Sequence, residues 1–476
     1  MRNAKKLLAL VAAMASVFSL AACGKNDSST ESTSSIAGVD LDSSTVGNIV
    51  DAASSQLGES VEKLANPKVQ WLAHYDINPA DGKVEDPSIA LFREVYGGEV
   101  EWVQTDWNSR YTKLASLVSA NTAPDMFPAD DMDAFPMGAL KNMFQPIDDV
   151  IDLGDELWSA NKASLDQFAI GDKHYVAVIE TQPNLVCIYN TNTIDECGYD
   201  QPADLYKSGE WTWDIFQEYC VEFNDDSQEK YALDGFWYWD GITHTTGKPF
   251  IGFEDGKIVS NIDSPEIEKA QNFIYDLIKA GSGFPRHLNN WATRGSTDSG
   301  SEGLGAGLTL FIPCGLYEVE ETLANTADLG SVADGEVMFV PMPKVDENSD
   351  YYMPSRINGY CLVSGAPNPE GFEAFMRCKR ICNEDEAIKQ IGIDTLVNDY
   401  GWTQDMLDMR EECYRLANEK PVFEFYNAVT KDIKDVMGQL VVATSSTGGQ
   451  KTWAEARAEN LEVIEYLIDE ANAQLG

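Results

Sequence analysis

The chain has 476 residues, 43% of them hydrophobic and 10% aromatic, which is a globular composition too long for one small core and suited to two lobes. With 78 acidic residues against 34 basic ones the formal net charge is −44, which excludes nucleic acid as a natural partner and sets the surface against anionic membranes and polymers. Solubility at a crowded surface accounts for such acidity, and a cationic ligand is the sharper alternative.

The start of the chain is organised as an address. Arg2, Lys5 and Lys6 precede the 14-residue apolar stretch Leu7–Leu20, too short to remain as a spanning helix. Leu20-Ala21-Ala22-Cys23 follows, and the whole resembles the signal and lipobox of bacterial lipoproteins. That resemblance implies a signal peptide over 1–22 and Cys23 as the lipidated new N-terminus, with two or three acyl chains giving stable anchoring. The Ser-, Thr-, Asp- and Gly-rich run after it shows no helical or strand period, and residues 23–65 are expected to form the lipidated Cys and a flexible tether. The protein is thus expected on the outer face of the cell membrane, held by lipid alone.

The body opens with βαβαβ patterning. Val69–Asp76 reads as a buried strand, "PSIALFREVYGG" as a helix stopped by Gly97-Gly98, and "EVEWVQTDW" as a second strand. "NSRYTKLASLVSA" reads as a helix capped by Asp106 or Asn108, and "PDMFPAD" as a third strand. This order predicts a parallel sheet whose ligands collect beyond the carboxyl ends of the strands, at His74–Asp76, Thr105–Trp107 and Asp130–Asp131. "KHYVAVIE" and "NLVCIYN" read as paired strands. A helix follows Ser264 as N-cap and stops at Gly281, strands return at "LTLFIP", "VMFVPMP" and "GYCLVSG", and Thr452 with Glu455 predicts a capping box at the last helix. Nine cysteines include no C-x-x-C, and Cys378 and Cys382 read as buried small hydrophobes.

Taken together, "VQWLAHYDINP", "TDWNSRYTKLASLVSANTAPDMF", "FQPIDDVIDL", "NLVCIYNTNTIDECG", "QPADLYKSGEWTWDIF", "VMFVPMPK" and "SRINGYCLVSGAPNPEGFEAF" resemble, in order, the extracellular solute-binding proteins of the sugar type, capture subunits of ABC importers. "GLGAGLTLF" departs from the family, lacking the Lys and Met usual before that strand. The resemblance implies an α/β, two-lobed periplasmic-binding-protein-like fold, each lobe a mostly parallel sheet flanked by helices, with hinge strands between. The lobes are expected at 66–187 plus 362–395 and 188–361 plus 396–476. Crossings are expected near Leu185–Tyr189 and Gly359–Val363, with a third near Ile391–Asn398. It also implies a monomer that closes around a carbohydrate and is recognised by the permease subunits of the importer, with no cofactor and no metal.

Sugars present hydroxyls to planar polar groups and C–H faces to aromatic rings. Trp237 and Trp239, two apart in "GFWYWDGITH", share one face if that segment is extended, and Asp240 adjoins them. Tyr75, Asp76, Trp107, Asp130 and Asp131 lie at strand ends. Glu180, with Gln182, precedes the first crossing, and Arg356, Asn358 and Tyr360 precede the return. Trp291, with Arg294, lies in a Gly/Ser-rich stretch placed as a lid. Trp211 and Trp213 are expected in the core. No H-E-x-x-H, G-x-S-x-G or P-loop occurs. A surface glycosidase remains the enzymatic alternative, since its two carboxylates cannot be picked out among so many acids. A receptor for a cationic or peptide-like solute is the alternative within binding proteins.

Overall fold

A computed structural model describes residues 43–57, 61–79, 85–130, 132–235, 237–284, 302–320, 329–446 and 450–474. Cys23, Asp131, Trp291 and Arg294 lie outside these. In chain order the strands are β1 Lys68–Ala73, β2 Glu99–Gln104, β3 Met126–Pro128, β4 Ala169–Ile170, β5 Lys173–His174, β6 Ala177–Pro183, β7 Val186–Asn190, β8 Tyr231–Leu233, β9 Ile251–Glu254, β10 Lys257–Ser260, β11 Thr309–Cys314, β12 Val337–Val340, β13 Met353–Leu362 and β14 Pro421–Val422.

Two large sheets take ten of them, and β4-β5 and β9-β10 are separate two-stranded pairs. The first runs β14-β13-β3-β1-β2, with β6 also paired to β13. β1 is parallel to β2 and β3, as the βαβαβ pattern requires, and the connecting segments carry the helices Pro87–Leu91 and Arg110–Ser119. The first of these passes into a π-helical turn, Phe92–Tyr96, which Gly97 ends at φ 70°. A Cβ on Gly98 would stand 2.2 Å from the Phe92 ring, so the second glycine of that pair is required by packing. The second sheet runs β12-β7-β11-β8 and is mixed rather than mostly parallel. β7 enters it from the other sheet, so it runs against both β11 and β12, while β11 and β8 are parallel.

"KHYVAVIE" and "NLVCIYN" are therefore not partners. β6 pairs with β13 in the first sheet and β7 with β11 and β12 in the second, and Asn184–Leu185 is the link between them. The return also comes earlier than expected. β13 is in the first sheet from Ser355 onward, bonded to β6 and then β3, so the chain goes back between Val340 and Met353. Ile391–Asn398 is not a crossing strand but the second half of a helix, Glu386–Asn398. Near the end of the chain β14 pairs with β13 of the first sheet, and the Phe425 N–H then donates to the Ile251 carbonyl of β9 (3.1 Å).

Part of the expected tether is folded. Ser43–Leu57 is a helix that buries Val46, Val50 and Ala53, spaced four and three apart, against the helices Pro87–Leu91 and Pro369–Glu384. Other local readings hold. Ser264 accepts from the Ile267 N–H, Thr452 and Glu455 form a capping box, and Cys378 and Cys382 are buried thiols. Trp211 and Trp213 are core residues, with indole N–H groups donating to the Pro341 carbonyl (3.0 Å) and Thr245 Oγ1 (3.0 Å). A cluster of rings joins the two lobes: Phe135, Phe168 and Tyr175 on the first-sheet side meet Phe253 of the β9–β10 hairpin and Phe423 and Phe425, with centroids 5.0–6.4 Å apart. No helix among the described residues is long and apolar enough to cross a membrane.

Candidate functional site: an interlobe cleft

The carboxyl ends of β1, β2 and β3 supply the first wall. The Tyr75 hydroxyl donates to Asp130 Oδ2 (3.1 Å), and its carbonyl accepts from the Trp71 indole (3.2 Å), so ring and backbone are both fixed. His74 stands edge-on to Tyr75 (4.8 Å) and to Trp107 (4.9 Å). Burial, and then the Arg110 charge, hold its imidazole below the usual histidine range. Trp107 is 37% exposed and lies on the Arg110 guanidinium, 3.6 Å from the ring centroid. Arg110 is itself buried, bonded to the Trp107 carbonyl and to Asp133, which also accepts from Tyr111. The indole thus rests on a locked cation and offers a rigid apolar plate at the rim. Asp76 is exposed and accepts from the backbone and side chain of Asn78, closing an Asx turn.

The floor comes from β6 and β13. Their register sets Asn358 opposite Glu180 and Arg356 opposite Gln182. The Ala129 N–H donates to the Gly359 carbonyl (2.8 Å), which brings Asp130 alongside Asn358. Burial pushes the Glu180 carboxyl up, against the Gln182 amide that donates to it (2.7 Å). Arg410, from the helix Gln404–Glu419, acts on Glu180 and bonds Glu320 (2.7 Å), with its guanidinium 4.4 Å over Tyr414. Arg356 is exposed. Tyr360 is only 1% exposed, its ring 5.5 Å from Trp71 within the first lobe's core and 5.4 Å from Lys379 Nζ.

The remaining candidates follow β8. Trp237 and Trp239 are not on an extended segment. Trp237 is the N-cap of a helix, Tyr238–His244, so residues two apart point about 200° apart and form no continuous face. Trp237 is half-buried, and Trp239 is buried with its ring 5.4 Å from Tyr238. The helix packs on β11 of its own sheet and on β13 of the first. Asp240 is 8% exposed, and Tyr426 donates to its Oδ2 (3.1 Å). Burial raises its carboxyl to about 6, with His244 opposing that shift.

The structure brings Tyr75, Trp107 and Asp130 together, sets Glu180 and Asn358 beside them, and places Asp240 on the helix that reaches β13. Sequence reasoning singled out neither Arg410 nor Tyr426. Arg410 is one cation on an amphipathic helix, and Tyr426 follows a run of aromatics, so neither carried a local signal. Among the described residues no group of three His, Cys, Asp or Glu side chains is arranged to hold a metal.

The chain resembles solved sugar-binding structures at low identity. It shares 14% identity with the cyclic α-maltosyl-1,6-maltose binding protein of Arthrobacter globiformis, with a TM-score of 0.62 over 85% of this chain and 100% of that one. With the galacto-N-biose/lacto-N-biose I-binding protein of the ABC transporter from Bifidobacterium longum the figures are 12%, 0.59, 85% and 98%. With an ABC substrate-binding protein from Listeria monocytogenes in complex with cycloalternan they are 16%, 0.58, 88% and 100%. No curated protein matches the chain. The bacterial extracellular solute-binding protein profile matches residues 78–378, from just after β1 into the helix Pro369–Glu384, which is more than half of the chain, and the chain belongs to that family.

Proposed function

We propose that this protein captures an oligosaccharide between its lobes and delivers it to an ABC importer, while tethered through a lipidated Cys23 to the outer face of the membrane. The observation that carries the sugar reading is the arrangement at the first wall. Tyr75 and Asp130 form a bonded pair of hydroxyl partners beside Trp107, an exposed ring held flat on Arg110. A plate with planar polar groups at its edge suits a sugar ring, whose C–H face and hydroxyls need both. Structural neighbours bound to cycloalternan and to lacto-N-biose support the same reading. Glu180 and Asn358 would serve as further hydroxyl partners from the floor. The family is one of binding proteins, which speaks against the glycosidase alternative.

The test is a thermal-shift panel of maltotetraose, lacto-N-biose, β-1,6-galactobiose, free amino acids and polyamines. A binder at a hundred times its Kd adds about 2.7 kcal/mol of stability and raises the midpoint. A rise with a saccharide and none with the amino acids or polyamines is expected; a rise with polyamines alone would return the acidic surface to the centre of the argument.

A further inference from the structure

We infer that Asp240 is the second lobe's acceptor for a ligand hydroxyl and that Tyr426, on the segment joining the lobes, is the residue that positions it. This rests on the carbohydrate reading above.

The argument begins with an incomplete bonding set. Asp240 Oδ2 accepts from Tyr426, whereas Oδ1 is buried and has no hydrogen-bond partner. A buried carboxylate left half satisfied costs free energy, and cores avoid it. Asp240 lies seven residues beyond the end of β8, on a helix that bridges to β13 of the other sheet. A donor arriving between the lobes would complete its set.

Tyr426 is itself held from several sides. The neighbouring Glu424 carboxylate accepts the main-chain N–H groups of Phe250 (2.8 Å), Ile251 (3.0 Å), Phe425 (3.1 Å) and Tyr426 (3.1 Å), and meets His244 Nε2 at 3.2 Å. Phe425 packs on Phe135 and Phe168 of the first lobe. The phenol is therefore fixed by both lobes, and its single bond sets the rotation of the Asp240 carboxylate and the aim of Oδ1.

The groups that act on Asp240 are His244, Glu424 and Tyr426. The other elements against its helix bring little charge. Pro265–Lys279 presents Gln271, bonded to Thr243 (2.8 Å), and Lys431–Ala443 buries Ile433, Val436, Met437, Leu440 and Val441. β11 carries no ionisable group except Cys314, and the one charged residue of β13, Arg356, is exposed.

Calorimetry with maltotetraose and lacto-N-biose, from pH 4.5 to 8, on the wild type, Tyr426→Phe and Asp240→Asn tests this. Tyr426→Phe is expected to weaken binding about three- to tenfold at pH 7.5. It should also move the acid midpoint of binding upward, because the phenol's donation favours the ionised carboxylate. Asp240→Asn, isosteric and readable even if Tyr426→Phe folds poorly, should weaken binding on the order of ten- to a hundredfold and abolish that midpoint. Wild-type affinity and midpoint in both variants would overturn the proposal, and a loss confined to urea stability in Tyr426→Phe would leave Tyr426 a purely structural residue. If neither saccharide binds the wild type, the carbohydrate reading falls first and takes this one with it.

Discussion

Replacing Arg410 with Met tests whether the floor of the cleft is held by charge. Arg410 Nε bonds Glu320 Oε1 at 2.7 Å, with side chains only 23% and 13% exposed, so water screens the pair weakly. A charge-assisted bond of this kind contributes about 1.5–3 kcal/mol. The guanidinium also stacks 4.4 Å over Tyr414, adding about 1–2 kcal/mol. Losing both, and leaving Glu320 near Glu180 without the cation it bonds, should cost about 3–5 kcal/mol, the range for removing one partner of a buried pair. Urea denaturation at pH 7.5 measures the loss. The sign of its pH dependence follows from the same residues. Burial already raises the Glu180 carboxyl, and without Arg410, which opposes that shift, it moves further above its unfolded value. The variant's folded state then takes up protons first, so its deficit should shrink as pH falls toward 4.5. Adding Glu320→Gln should recover more than half of the loss. A single variant within 1 kcal/mol of wild type, or a double variant no better than the single, would refute the account of a charge-held floor.

Two further outcomes follow from particular side chains. The Asp240 carboxyl is raised to about 6 by burial, above an unfolded value near 3.8, so its contribution to stability is fully present below about pH 4 and lost as pH rises through 6. Relative to Asp240→Asn, the wild type should therefore gain about 2–3 kcal/mol between pH 7.5 and pH 4, by denaturant melts at each pH; parallel profiles would mean that Asp240 titrates normally. Replacing Cys23 with Ala should abolish incorporation of labelled palmitate and release the protein from the membrane fraction; persistent labelling would remove the lipobox reading.

Where sequence reasoning worked, the signal was local. The βαβαβ start was legible because apolar strands alternate with amphipathic helices, and the caps at Ser264 and Thr452 because a cap needs only its own three following residues. What failed depended on distant partners. β6 and β7 are two apolar runs joined by Asn184-Leu185, and nothing in either strand says that they belong to different sheets; β13 and β11 decide that from more than a hundred residues away. "YWDGITH" opens on strand formers, yet packing against β11, β13 and two helices makes it helical, so tertiary context overrides propensity. In the supposed tether, Val46, Val50 and Ala53 mark a helical stripe that the surrounding Ser and Thr conceal. That Tyr75, Trp107 and Asp130 lie just beyond strand ends was visible because the βαβαβ order fixes where strands end. The contact of Tyr426 was not visible, because the carboxylate it bonds lies 186 residues back along the chain.

The ring cluster that joins the lobes limits how they can part. Burying one such ring removes roughly 150–250 Å² from water. At about 25 cal/mol per Å² that is about 4 kcal/mol each, so prising even three rings from their partners would take more than 10 kcal/mol. A micromolar ligand supplies only about 8 kcal/mol in total. Any opening and closing of the lobes would therefore leave this corner shut and swing about it, as a book turns on its spine. A solute would then enter and leave from the opposite fore-edge, while Phe423–Tyr426, bound into the spine, would stay in register with Asp240, which Tyr426 bonds.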